Sequence, residues 1–198
     1  MAIRKLRHFV RTIAELVDTA ASEADLLERG ATALSELISV DDWLPDAYVQ
    51  PSADRYQQFL LYADVRQRFS VVSFVWGPGQ QTPIHDHTVW GLIGVLRGAE
   101  LAASFVRDRD GTPRQTGDEV RLERGAVEAV SPNIGDIHRV RNAYDDRVSI
   151  SIHVYGANIG AIHRSTYPPG ATPKPFISGY SNDTVPNLWD LSKELRLS

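Results

Sequence analysis

The chain of 198 residues contains no cysteine. No disulfide can form and no thiolate can bind a metal, so cysteine-ligated zinc folds are excluded. An excess of positive charge is also missing. Lys and Arg number 21 against 25 Asp and Glu, a net charge of −4, which leaves no basic footprint for nucleic acid. No apolar run reaches the length that spans a bilayer, so no membrane partner is expected. Arg4, Lys5 and Arg7 make the N-terminus basic, but Arg11 and Glu15 interrupt the residues behind them. Without an apolar stretch this does not read as a signal peptide, and a cytoplasmic location is the expectation. Internal repeats, low-complexity tracts and linkers are lacking too. The simplest organisation is one domain over residues 1–198 with a real hydrophobic core, 42% of the residues being hydrophobic.

The first third reads as helical. Phe9, Ile13, Leu16 and Val17 recur at helical spacing, and Leu26, Leu27, Ala31, Leu34, Leu37 and Ile38 form a second stripe. Ser22 opens that second helix as a cap, with Asp25 three residues on. After Pro51 the pattern changes. Short strands are expected at Phe69–Trp76, Leu92–Leu96, Leu101–Val106, Glu119–Leu122, Ala126–Val130, His138–Arg141 and Val148–Tyr155. Asp110-Gly111 is a hairpin signal. Many short strands with Gly and Pro between them suggest a sandwich or closed barrel. The predicted layout is a helical segment over about 1–68, a β-barrel core over about 69–166 and a Pro/Gly-rich wrap over 167–198.

Among six histidines, three stand out. His85 and His87 form His-x-His, and His138 follows in Pro132-Asn-Ile-Gly-Asp-Ile-His138. Imidazole is the commonest ligand for first-row transition metals. On a strand, residues i and i+2 share a side, so His85 and His87 can meet one ion. A third His from elsewhere leaves other coordination positions open, as a catalytic metal requires. His8 and His163 lack a companion at ligand spacing and read as hydrogen-bonded core residues. Ser151, His153 and Tyr155 alternate along one predicted strand, facing opposite to Ile150, Ile152 and Val154.

The histidine segments resemble the two cupin motifs. Gly79, His85, His87, Gly91 and Gly98 keep the spacing of the first. Pro132, Gly135, His138 and Asn142 follow the second, with one extra residue before the Gly. Gly91 stands where many cupins place a fourth ligand, Glu. A three-His site without that Glu, together with Ile84-His-Asp-His-Thr88, resembles the cysteine dioxygenase (thiol dioxygenase) family from about Tyr56 to Arg164. The resemblance implies a mainly β, cupin double-stranded β-helix (jelly-roll) barrel. It implies Fe(II) held by His85, His87 and His138, since a redox-inert ion cannot activate dioxygen. It also implies a Ser151–His153–Tyr155 relay.

Two departures from the mammalian-type enzymes bear on substrate. The Cys that cross-links to the active-site Tyr in that type matches Gly91, so no such cross-link can form here. The Arg that binds the substrate carboxylate in that type matches Gln58, which cannot offer a charged fork. In the bacterial 3-mercaptopropionate dioxygenase branch, that role falls to an Arg nine residues after the relay Tyr, here Arg164. The expected partners are therefore O2 and a small thiol carboxylate, with 3-mercaptopropionate ahead of cysteine. Trp90 could close the pocket or serve the core equally well. The competing expectations are a cysteine dioxygenase making cysteine sulfinate, a cupin of another chemistry such as a metal-dependent isomerase, and a non-enzymatic ligand-binding module. Oligomeric state is left open by the sequence.

Overall fold

The computed structural model describes residues 2–109 and 111–191. It opens with two helices, α1 (Ala2–Thr19) and α2 (Glu23–Ile38). Ser22 caps α2 as expected, its Oγ accepting the Asp25 N–H at 3.2 Å. Asp25 Oδ2 accepts the Ala21 N–H in return, at 3.0 Å. Glu23 and Asp25 in the first turn complement the helix dipole. Leu6, Phe9, Val10, Ile13 and Leu16 of α1 are buried with Leu26, Leu27, Leu34, Leu37 and Ile38 of α2.

Eleven strands follow among the described residues: β1 (Gln57–Ala63), β2 (Ser70–Trp76), β3 (Gly91–Arg97), β4 (Ala99–Arg107), β5 (Pro113–Gln115), β6 (Val120–Glu123), β7 (Val127–Val130), β8 (Ile137–Asn142), β9 (Ser149–Tyr155), β10 (Arg164–Thr166) and β11 (Lys174–Phe176). One antiparallel sheet runs β1-β2-β9-β3-β7. A second runs β5-β4-β6, with β8 paired to β4, and β10 and β11 form a hairpin. The two larger sheets make the mainly β double-stranded β-helix.

The larger sheet separates two environments by simple alternation. Val71, Val75, Leu92, Leu96, Ile150, Ile152 and Val154 pack with the helices in one core cluster. Val72, Phe74, Trp76 and Tyr155 belong to a second cluster, within the barrel. The helices lie tight on this sheet. A Cβ on Gly30 would stand 2.8 Å from Leu92 Cδ1, and one on Gly94 2.9 Å from both Leu34 and Ile38. Strands covered on both faces explain why β2 and β9 are buried along their whole length.

The helical reading of residues 1–68 needs correction. The α-helices end at Ile38, a single 3-10 turn covers Asp46–Tyr48, and Gln57–Ala63 is the edge strand of the larger sheet. That strand carries a bulge between Leu60 and Tyr62, which breaks the alternation a strand shows in sequence. The short strands β5, β10 and β11 were not anticipated either. Of the Asp110-Gly111 signal, Asp110 lies outside the described residues, while Gly111 takes φ +87 in the turn joining β4 to β5. The wrap from 167 is described to residue 191, and it returns across β1. Ser181 N–H donates to the Gln58 carbonyl, and Asn182 bonds both Leu60 N–H and Leu60 C=O. Arg7 of α1 then donates to the carbonyl of the buried Leu188. Among the described residues, no helix is long and apolar enough to cross a membrane.

Candidate active site

His85 and His87 do not sit on a regular strand. They lie in the irregular segment between β2 and β3, and tertiary contacts rather than a pleat bring them to one side. His85 and His138 of β8 exchange backbone hydrogen bonds in both directions, 3.0 Å each. Asp136 fixes His87: its Oδ1 accepts the His87 backbone N–H at 2.9 Å, and its Oδ2 accepts the Thr88 N–H at 2.9 Å. Those bonds hold Thr88 at φ +63, a left-handed conformation that a β-branched residue adopts only when its surroundings compel it. Asp86 anchors the other flank, accepting the Tyr167 hydroxyl at 2.6 Å and the Ser165 N–H at 2.8 Å.

The three imidazoles converge. Their ring centroids are 4.7–4.9 Å apart, and one nitrogen from each lies within 4.8 Å of the others. All three rings are buried. Burial, the largest cause, holds all three below the usual histidine pKa, His85 at about 4. They are therefore neutral at pH 7 and keep lone pairs for a ligand. Their second nitrogens are partly committed. His85 Nδ1 donates to the Pro83 carbonyl at 3.0 Å, and His87 Nδ1 lies 3.0 Å from Asp136 Oδ1. With His87 neutral, that contact is a hydrogen bond to a carboxylate rather than an ion pair, and it turns Nε2 inward. His87 Nε2 is buried with no hydrogen-bond partner, as is His138 Nδ1. An unpartnered buried nitrogen facing two other imidazoles is what a metal ion satisfies, so the donor set fits one.

Beside the triad a cavity of about 250 Å³ is lined by His85, His138, His153, Tyr155, Tyr56 and Arg164, with Gln58, Phe74, Trp76, Phe176 and Ser178 among its other walls. Ser151 Oγ is 2.7 Å from His153 Nε2, and His153 Nδ1 is 2.7 Å from the Tyr155 hydroxyl. These three side chains form one buried chain of hydrogen bonds, while Trp76 Nε1 donates to Ser151 Oγ at 3.1 Å. His153 lies flat against Phe74, ring centroids 4.1 Å apart, and burial lowers its pKa to about 3. Burial also raises the Tyr155 pKa, so its hydroxyl stays protonated. The Tyr155 ring stacks on His87, centroids 5.1 Å apart.

Arg164, at the start of β10, is 6% exposed and lies over the Phe176 ring, 4.6 Å from its centroid. Its Nη2 donates to Ser178 Oγ at 2.8 Å, and its Nε is buried without a partner. Among the described residues it makes no ion pair. Gln58 is buried in the wall, and its amide nitrogen donates to Ser178 Oγ at 2.9 Å and to the Gly179 carbonyl at 2.7 Å. Gly91 touches the site in a way that its identity explains. A Cβ there would stand 2.8 Å from Tyr155 Cδ1.

Trp90 packs against the helix-side core, its indole filling the space beside Gly156. His8 and His163 are both exposed, so neither is the core residue expected, and neither joins the triad. Asp136, Ser178 and Tyr56 were missed. Asp136 had a signal, standing two residues before His138 in the second motif. Tyr56 stood two residues before Gln58. Ser178, in a polar tail, had none.

In comparison with solved structures, the chain is 20% identical to a double-stranded β-helix protein from Klebsiella pneumoniae, over 62% of this chain and 87% of that one, TM-score 0.48. It is 24% identical to an RmlC-like cupin protein from Desulfovibrio desulfuricans, over 59% and 96%, TM-score 0.41. The family model described as cysteine dioxygenase type I matches residues 2–166, which span the helices, the three histidines, the Ser-His-Tyr chain and Arg164. By that match the chain belongs to the cysteine dioxygenase type I family.

Proposed function

We propose that the protein is a non-haem Fe(II) thiol dioxygenase that adds both atoms of O2 to the sulfur of a small thiol carboxylic acid, 3-mercaptopropionate ahead of cysteine, giving a sulfinic acid. The observation that carries the substrate class is Arg164, a buried guanidinium without an anionic partner in the wall of a small cavity beside three neutral imidazoles. A buried unpaired cation is costly to maintain, and an incoming carboxylate would relieve that cost.

His85, His87 and His138 would hold the iron, which supplies the electron exchange with dioxygen that a redox-inert ion cannot. Arg164 would bind the substrate carboxylate and thereby set the distance from acid to sulfur. Phe176 beneath the guanidinium and Ser178 at its edge keep that fork in place. Gln58 acts through Ser178, because its amide hydrogens are already given to Ser178 and Gly179. Tyr155, oriented by His153 and Ser151, would donate its hydroxyl towards the bound substrate.

The choice of thiol follows from the lining. No Asp or Glu is among the described residues that line the cavity. The ammonium of cysteine would therefore be buried near Arg164 without a counter-charge, while 3-mercaptopropionate has no such group. The Arg164→Ala variant tests the reading. Loss of a buried charge-paired contact costs about 2–5 kcal/mol in binding. Steady-state oxygen uptake should show kcat/KM for 3-mercaptopropionate falling accordingly. An unchanged kcat/KM removes Arg164 from substrate binding.

A further inference from the structure

Ser151 has a neighbour that the reaction scheme above leaves unused. Glu100 of β4 is 0% exposed, and neither of its carboxylate oxygens has a hydrogen-bond partner. Native proteins seldom keep such a group without a use. Burial raises its pKa to about 8, against the opposing pull of Ser151 and Trp76 beside it. Glu128 of β7 faces it, and its charge pushes in the same direction as burial. Glu128 is only half-buried, burial raises its own pKa, and its Oε2 likewise lacks a partner. The charge of Glu100 is also felt at Tyr155, at the far end of the relay.

The donors around Ser151 make the connection directional. The Trp76 indole can only donate, and it donates to Ser151 Oγ. When His153 Nε2 carries the second hydrogen aimed at that oxygen, the Ser151 hydroxyl must turn to a third group, and Glu100 is the unpartnered acceptor beside it, so the bond between them forms as the hydroxyl turns. We propose that Glu100 is the proton terminus of the Ser151–His153–Tyr155 chain, taking up the proton that a thiol substrate surrenders on binding and passing it towards Glu128 and solvent. This rests on the thiol dioxygenase reading.

The step balances without an oxidant. The S–H bond breaks, and its electron pair stays on sulfur as the thiolate. Tyr155 Oη receives the proton as its own passes to His153 Nδ1. The His153 Nε2 proton moves to Ser151 Oγ, and the Ser151 proton moves to the Glu100 carboxylate. The sulfur gains the negative charge that Glu100 loses, and Tyr155, His153 and Ser151 each end neutral, so no intermediate member of the chain is required to ionise.

The test compares iron-loaded wild type with Glu100→Gln, which keeps the shape and cannot take up a proton, and with Glu100→Asp, which keeps the acid. In wild type, kcat/KM should rise with pH through a limb near 8, where Glu100 becomes a carboxylate. Glu100→Gln should lose that limb and lower kcat on the order of 10²-fold with little change in KM. The loss should narrow as pH approaches the thiol's own pKa, because the substrate then arrives as thiolate. Glu100→Asp should restore part of the rate. Infrared spectra of the metal-free protein should show a protonated carboxyl near pH 7 that is absent from Glu100→Gln. Superimposable pH profiles, a loss uniform in pH that Asp does not relieve, or no protonated carboxyl in wild type would each overturn the proposal. Wild type that consumes no oxygen with any thiol removes the dioxygenase reading and this proposal together, whereas an active wild type with an indifferent Glu100→Gln removes this proposal alone.

Discussion

Gly91 shows how one position constrains the whole site. Its missing side chain leaves room for the Tyr155 ring, which in turn stacks on His87 and closes the hydrogen-bonded chain to Ser151. The Gly91→Ala variant should push Tyr155 off this seat and cost about 1–3 kcal/mol by overpacking. Thermal unfolding would register that cost. Oxygen consumed per sulfinate formed would register a displaced Tyr155, as uptake in excess of product. Residues of this kind differ in how they announce themselves. The spacing of two residues exposes His85 with His87 and also Ser151, His153 and Tyr155, because chain neighbours meet the same partner. Ser178 gave no such sign, and Tyr56 gave only its spacing of two from Gln58. Their value comes from Arg164, Gln58, Phe74 and Trp76, which reach them only after the C-terminal wrap and β1 have closed on the barrel.

At the scale of elements, the irregular segment between β2 and β3 is held by isolated backbone bridges to β8 and β10 and by two carboxylates, Asp86 and Asp136, rather than by a continuous ladder. Asp136→Ala should therefore leave the sheets intact and free both the His87 ring and the backbone at Thr88. A hydrogen-bonded partner behind a metal-binding His typically supports affinity 10–100-fold. Calorimetric titration of Fe(II) into the metal-free protein under anaerobic conditions should show a loss of that order. Unchanged affinity would mean that His87 is oriented by packing alone. The helices and most of the strands were legible because their apolar positions follow one clear period. The edge strand β1 was not, since its bulge shifts the register midway and Gln57 and Gln58 occupy its start. The histidine segment misled in another way. His-x-His resembles strand alternation, yet the shared direction comes from Asp136, 49 residues away along the chain.

For the whole molecule, the barrel encloses an acid that water would ionise. Glu100 titrates near its ordinary 4.5 in the unfolded chain and at about 8 when folded. Its folded pKa is the higher one, so the native state holds a proton that the unfolded state has released between about pH 4.5 and 8. Its stabilising contribution is fully present below about 4.5 and is lost as pH rises through about 8. Glu100→Gln removes that dependence. Thermal unfolding should show the variant gaining on wild type steadily from pH 5 to pH 8, and a constant difference would contradict it. The enclosure also underlies the central claim, because one small cavity beside the three-imidazole cluster is lined by His85, His138, His153, Tyr155 and the unpaired Arg164 guanidinium, with no carboxylate in its wall. The most direct measurement is oxygen consumption by the iron-loaded protein with 3-mercaptopropionate and with L-cysteine, with sulfinate quantified in each. The account predicts one sulfinate per O2 and a clear preference for 3-mercaptopropionate. Preference for cysteine would contradict the substrate assignment, and no uptake with either thiol would contradict the dioxygenase itself.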